Sequence, residues 1–225
     1  MKPRIILASG SPRRRQLLTQ VGIAHEVIVS GADEDITGPP EEQVRELALR
    51  KAEAVRGVVC ENMGMVVGDA AIAAARAAAG DNPAGELKTD DAAHSDAVII
   101  AADTLVFIDG KVPGKPAGPE EAFDMLKTLQ GRCHTVYTGV AVLRVGTAAE
   151  TFVEAAQVYF RKLTDAEIWA YIATGEPFDK AGAYGVQEKG ALLVERIVGD
   201  YFTVVGLPLA RLAVTLAKMG IDVWQ

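Results

Sequence analysis

The sequence predicts an α/β fold with a mixed, twisted sheet and flanking helices, and three observations carry that reading. Residues 97–108 (AVIIAADTLVFI) are apolar almost without a break, the mark of a strand buried on both faces. The first twenty-two residues read as strand, turn and helix in direct succession. Along the rest of the chain, strand-like and helical stretches mix without strict alternation, which argues against a Rossmann domain.

Taken in order, RIILA at 4–8 is a short branched apolar strand ending at Ser9-Gly10-Ser11. Ser11 suits an N-cap and Pro12 a first helical residue, because proline lacks the N–H that would be unpaired there. Leu17, Leu18 and Val21 give that helix its apolar side, and Gly22 closes it. A second strand is expected at 26–30 (EVIVS), then an acidic loop, Asp33-Glu34-Asp35, and a Gly38-Pro39-Pro40 break. A helix from Glu41 to about Val58 carries Val44, Leu47, Ala48 and Val55 on one face, and Lys51 falls on that face too.

Residues 61–96 read as a flexible insertion within one domain spanning 1–225: 76–96 are rich in Ala, Gly, Asp and Asn, and an alanine-rich piece near 66–79 suits a helical extension. Beyond the 97–108 strand, a helix fits 119–130, opened by proline and closed by Gly131. Residues 135–143 and 151–160 form a hairpin around Gly146. Thr164 and Glu167 have capping-box spacing and start a helix ending at Gly175. Residues 176–190 are irregular, 191–198 is a strand, and 208–219 the last helix.

The formal charge of −7 argues against the broad phosphate-contacting surface that a nucleic-acid polymer demands, yet Arg13, Arg14 and Arg15 show that positive charge concentrates locally. Two cysteines, Cys60 and Cys133, form no disulfide framework or zinc motif. With no signal-peptide pattern and no apolar run of membrane-spanning length, the expectation is a cytoplasmic protein without a membrane partner. The three histidines match no metal-ligand spacing.

Four groups of residues carry candidate chemistry. Ser9 to Arg14 presents a small-residue turn and a helix N-terminus to an anion, with arginines suited to phosphate, although an ordinary capped helix with surface arginines has the same pattern. Asp103, followed by Thr104, puts a carboxylate in a buried strand, which is costly unless it is paired, bound to a metal or at a pocket lip. Asp33 and Glu34 could add a second oxygen ligand for Mg²⁺, of which Glu34 is the better candidate; a solvated turn is the alternative, as snorkelling is for Lys51. Lys115 in Gly-Lys-Pro and the stretch 179–187 (DKAGAYGVQ) could admit a base, whose edge Gln187 could read; a plain glycine-rich connection has the same composition. No nucleophile elbow or Walker motif is present, so water is the expected attacker.

These pieces occur in one order: ASGSPRR at 8–14, Asp33-Glu34, Arg50-Lys51-Ala52, IAADTLV at 100–106, GKP at 114–116, DKAGAYGVQ at 179–187 and GDYFTVVGLPL at 199–209. Together they resemble the Maf family of nucleoside triphosphate pyrophosphatases over nearly the whole chain except 61–96. The resemblance implies two lobes around a central cleft, an ITPase-like arrangement, with a divalent cation (Mg²⁺ or Mn²⁺) as cofactor and a homodimer. By motif, Asp103 would activate the attacking water and, with Glu34, hold metal. Arg13, Thr104 and Gln187 would govern substrate choice, and Ser9, Ser11, Arg14, Lys51, Lys115 and Lys180 would contact phosphates. The KAGAYG-x-Q form resembles the branch acting on dTTP and UTP rather than on 7-methyl-GTP. Two other readings remain: a nucleotide-binding regulator of septum formation without turnover, and a nucleotidyltransferase. The spacing from Lys51 to Asp103 is longer than the family pattern, and VVGDAA at 66–71 imitates IAADT without the following apolar run.

Overall fold

The computed structural model describes residues 3–62 and 97–224. Six strands form one sheet: β1 (Arg4–Leu7), β2 (Glu26–Val27), β3 (Ala97–Phe107), β4 (Cys133–Arg144), β5 (Glu150–Phe160) and β6 (Val194–Val198), in the order β2-β1-β3-β4-β5-β6. β2, β1 and β3 run parallel and the other neighbouring pairs antiparallel, so the expected mixed sheet is present. The helices are α1 (Pro12–Gln20), α2 (Pro40–Asn62), α3 (Pro119–Leu129), α4 (Asp165–Ile172), α5 (Tyr201–Val205) and α6 (Leu209–Lys218).

Side-chain alternation along β1 sorts the core onto two faces. Ile5 and Leu7 pack with Leu17 and Leu18 of α1 and Leu212 and Leu216 of α6. Ile6 and Ala8 face the other way, toward Ala48, Ala52 and Val55 of α2. A third cluster, with Leu126 of α3, Ile168 of α4 and Phe160 of β5, fills the far half of the sheet. The Thr164–Glu167 capping box forms in both directions and starts α4 as its spacing requires.

Several boundaries depart from expectation. β2 stops at Val27 instead of reaching residue 30, because its partner β1 leaves the sheet after Leu7; one further bond, Ile28 N–H to the Leu7 carbonyl at 3.1 Å, ends the ladder. α2 continues past Val58 to Asn62, so residues 61 and 62 belong to it and not to an insertion. The rest of the proposed insertion, with the alanine-rich piece and VVGDAA, lies outside the described residues. The last strand begins at Val194, since Glu188–Leu193 winds into a 3₁₀ segment. α5 was not expected at all; Asp200 caps its start and Gly206, at φ 119°, closes it.

The departure of β1 also builds the site. β3 pairs with β1 only over Ala97–Ile100, and a last bond joins Ala8 N–H to the Ile100 carbonyl at 2.8 Å. Beyond that point β3 runs on beside β4, while the edge facing β1 is left open by the Ser9–Ser11 turn. Asp103 and Thr104 stand in that stretch, outside the carboxyl end of a parallel strand pair, where open α/β sheets form their ligand crevices.

Candidate active site

A cavity of about 650 Å³ occupies this opening. It is lined by the Ser9–Arg14 turn, Asp103–Val106 of β3, Lys51 of α2, Glu34, the Val112–Lys115 loop, the Asp179–Gln187 stretch and the end of α5. The eleven residues given roles by the resemblance, Ser9, Ser11, Arg13, Arg14, Glu34, Lys51, Asp103, Thr104, Lys115, Lys180 and Gln187, lie on its walls, whereas Asp33, the weaker of the two acidic-loop candidates, does not.

The two residues that looked anomalous in sequence are each other's explanation. Lys51 Nζ lies 2.7 Å from Asp103 Oδ1 and 2.6 Å from Glu34 Oε1. Lys51 is 9% exposed, so it does not snorkel: its stem sits on the buried face of α2 and its ammonium meets two carboxylates. The Lys51 hydrogen bond holds the Glu34 carboxyl below the ordinary carboxylate range, with Lys115 and Arg14 adding attraction. The acidic loop is therefore more than a solvated turn.

Arg14 is gripped from three sides. Its Nε donates to the Gly206 carbonyl at 2.8 Å, Nη1 to Ser9 Oγ at 3.1 Å and Nη2 to Thr104 Oγ1 at 3.0 Å. Burial pushes its pKa down, while the Asp103 carboxylate pulls it back up. Ser11 occupies the N-cap position of α1 but makes no capping bond; Ser9 Oγ instead accepts the Ser11 N–H at 3.2 Å. Without that side-chain cap, the first-turn amides keep their affinity for an anion.

The remaining cations are set differently. Arg13 reaches Asp179 at 3.3 Å, and Lys180 donates to Asp179 at 2.6 Å and to the Glu176 carbonyl at 2.5 Å. Burial would raise the Asp179 pKa, but Lys180 and Arg13 outweigh it and hold the carboxyl low. Lys115 stands exposed at the rim. Gln187, half-buried, follows Tyr184, whose ring sits in an edge-to-face cluster with His134 and Phe160. Sequence reasoning missed Thr138, Thr203 and Gly206, which stand behind Arg14 and Thr104. A threonine inside a strand gives no signal; Thr203 and Gly206 lie within the GDYFTVVGLPL stretch, whose Asp200 and Gly206 are the cap residues of a helix.

The donor set fits a hard divalent cation. Two carboxylates from different elements converge on one positive group, and Mg²⁺ typically takes one or two carboxylates with substrate phosphates completing its shell. Among the described residues no cluster of three or more His, Cys, Asp or Glu could hold an ion by protein ligands alone. No described helix is long and apolar enough to cross a membrane.

A family model for Maf-like proteins matches residues 4–219. A dTTP/UTP pyrophosphatase of Moorella thermoacetica is 45% identical over 224 residues, covering 98% of this chain and 97% of its own length. One of Bacillus cereus is 41% identical over 222 residues with the same coverage. Among solved structures, the Staphylococcus aureus Ham1 protein overlays with a TM-score of 0.38 at 16% identity, over 70% of this chain and 71% of its own, too distant to bear on the site.

Proposed function

The chain belongs to the Maf family, and on that premise we propose that it hydrolyses dTTP and UTP to the monophosphate and pyrophosphate. The observation that carries the proposal is the convergence of the Glu34–Lys51–Asp103 cluster and the Arg14 anchor on one cavity. An acidic protein has gathered five cations there, which suits a polyanionic ligand of small size.

In this reading Arg14, Arg13 and Lys180 bind and orient the triphosphate, and the Ser9–Ser11 turn adds its hydroxyls and amides. Asp103 has Oδ1 on Lys51 and takes the proton of the attacking water on its second oxygen. The water oxygen forms a bond to the α-phosphorus and the bond from that phosphorus to the bridging oxygen breaks, so pyrophosphate leaves with the electron pair. Glu34 and Asp103 would hold a divalent cation, whose chemistry is to neutralise charge on the triphosphate and the departing group. Gln187 offers a carbonyl and an amide to the complementary edge of uracil or thymine. A homodimer in the cytoplasm completes the proposal.

The test is pyrophosphate release from a panel of dTTP, UTP, GTP and 7-methyl-GTP with Mg²⁺ or Mn²⁺. Turnover of the pyrimidine nucleotides, abolished by Asp103→Asn in a folded protein, is expected. Nucleotide binding without turnover would leave a regulator in place of an enzyme, and exclusive use of a guanine nucleotide would reverse the substrate assignment.

A further inference from the structure

Thr138 lies on β4 with no exposed surface and is not among the residues lining the cavity. Its hydroxyl is 2.7 Å from the Thr203 carbonyl and 2.9 Å from Thr104 Oγ1. A carbonyl only accepts, so the single Thr138 proton goes to Thr203. Thr104 must then donate to Thr138, and its oxygen is left to accept from Arg14 Nη2. The result is a directed chain from guanidinium to Thr104 to Thr138 to the Thr203 carbonyl, in which each bond polarises the next.

The same short helix supplies a second hold. Gly206, three residues after Thr203, gives its carbonyl to Arg14 Nε. Its φ of 119° favours glycine, and a Cβ there would lie 3.2 Å from Thr104 Oγ1 and 3.4 Å from Arg14 Nε. Asp200 fixes this helix by accepting from Phe202 N–H, Thr203 N–H and the Thr203 hydroxyl. Three of the five guanidinium N–H groups are thereby committed, leaving one on each terminal nitrogen for a ligand.

We propose that Thr138, anchored on the Thr203 carbonyl of α5, is a positioning residue that sets the plane of the Arg14 fork by fixing the direction of the Thr104 hydroxyl. The inference rests on the nucleotide reading of the cavity. It also makes Thr104 an acceptor toward substrate, since its proton is already given away.

The experiment is a double-mutant cycle of Thr138→Val with Arg14→Lys, with Thr138→Ser as the conservative rescue, in the full-length protein with dTTP and Mg²⁺. Thr138→Val keeps the Arg14 charge but loses its direction, so kcat is expected to fall about tenfold while KM moves less than about twofold. Thr138→Ser should recover most of the loss, and in the Arg14→Lys background Thr138→Val should add less than about twofold. Equal loss in the valine and serine variants, or full additivity with Arg14→Lys, would overturn the proposal. If Thr138→Val does not fold, Thr138→Ala takes its place in the cycle. Should the wild-type protein bind dTTP without turnover, the pyrophosphatase reading fails separately, and the same coupling is read from dTTP affinity by calorimetry.

Discussion

Gly139 is where the fold and the site are most tightly tied, and replacing it by alanine exposes the link. A Cβ at Gly139 would lie 2.3 Å from the Val44 carbonyl oxygen, 2.4 Å from its carbon and 2.7 Å from the Arg45 nitrogen. All three are backbone atoms of α2, so no side chain can rotate away. Restoring a 3.4 Å contact requires α2 to move off β4 by about 1 Å. Overpacking of this kind costs about 1–3 kcal/mol. At about 2–4 °C per kcal/mol for a chain of this size, the melting temperature should fall by about 2–12 °C. The helix that moves also carries Lys51, whose ammonium must meet Asp103 at 2.7 Å. Displacements of about 1 Å in positioned groups can cost as much as 100-fold in rate, so turnover should drop with stability. Gly57, on the same helix, has nothing within 4 Å of its would-be Cβ among the described residues, and Gly57→Ala should instead stabilise by about 0.5–1 kcal/mol. Thermal melts and pyrophosphate release on both variants check this. A Gly139→Ala protein with wild-type melting and turnover would refute the claim that close backbone contact sets the position of Lys51.

Two further outcomes follow from single residues. Burial lowers the His134 pKa to about 4, and its Nε2 sits 2.7 Å from the Tyr184 hydroxyl; the folded value lies below the unfolded one, so its contribution to stability is full above pH 6.5 and is lost as pH falls toward 4, on the order of 3 kcal/mol in all. Urea unfolding between pH 7 and 4 should show that decline in wild type and a shallower one in His134→Gln, whereas equal declines would show that other groups govern it. Glu34→Gln removes one of the two carboxylates that converge on Lys51, and should raise the Mg²⁺ concentration for half-maximal turnover by about tenfold or more, read from a metal titration; an unchanged midpoint would remove Glu34 from the metal assignment.

What was legible in the sequence was what local chemistry decides. The α2 face repeats at helical spacing, the Thr164–Glu167 box closes within one turn, and β3 is apolar enough to require burial on both sides. Asp103 and Lys51 stood out because charge on an apolar face needs a partner, but that each supplies the other's depends on how α2 lies across β3 and β4. The end of β2 could not be read from EVIVS, since it is decided by where β1 turns away. Thr138 was invisible for a similar reason. Its importance lies in two partners, 34 residues before it and 65 after it, and nothing in its neighbourhood distinguishes it from an ordinary strand threonine.

The partners of the cavity cations divide them by role. Lys51, Arg13 and Lys180 are each paired with a carboxylate, so a phosphate must displace Glu34, Asp103 or Asp179 to use them fully. Arg14 is different, because its bonds go to a carbonyl and two hydroxyls, which orient the guanidinium without cancelling its charge. Asp103 acts on it only as a nearby charge. A fixed positive fork beside exchangeable ion pairs gives a polyphosphate one anchor at once and the rest by substitution. That ordering explains why the chain invests a buried threonine, a glycine of positive φ and a capped five-residue helix behind one arginine: Lys51, Arg13 and Lys180 each have a carboxylate partner, whereas all three Arg14 bonds go to neutral groups.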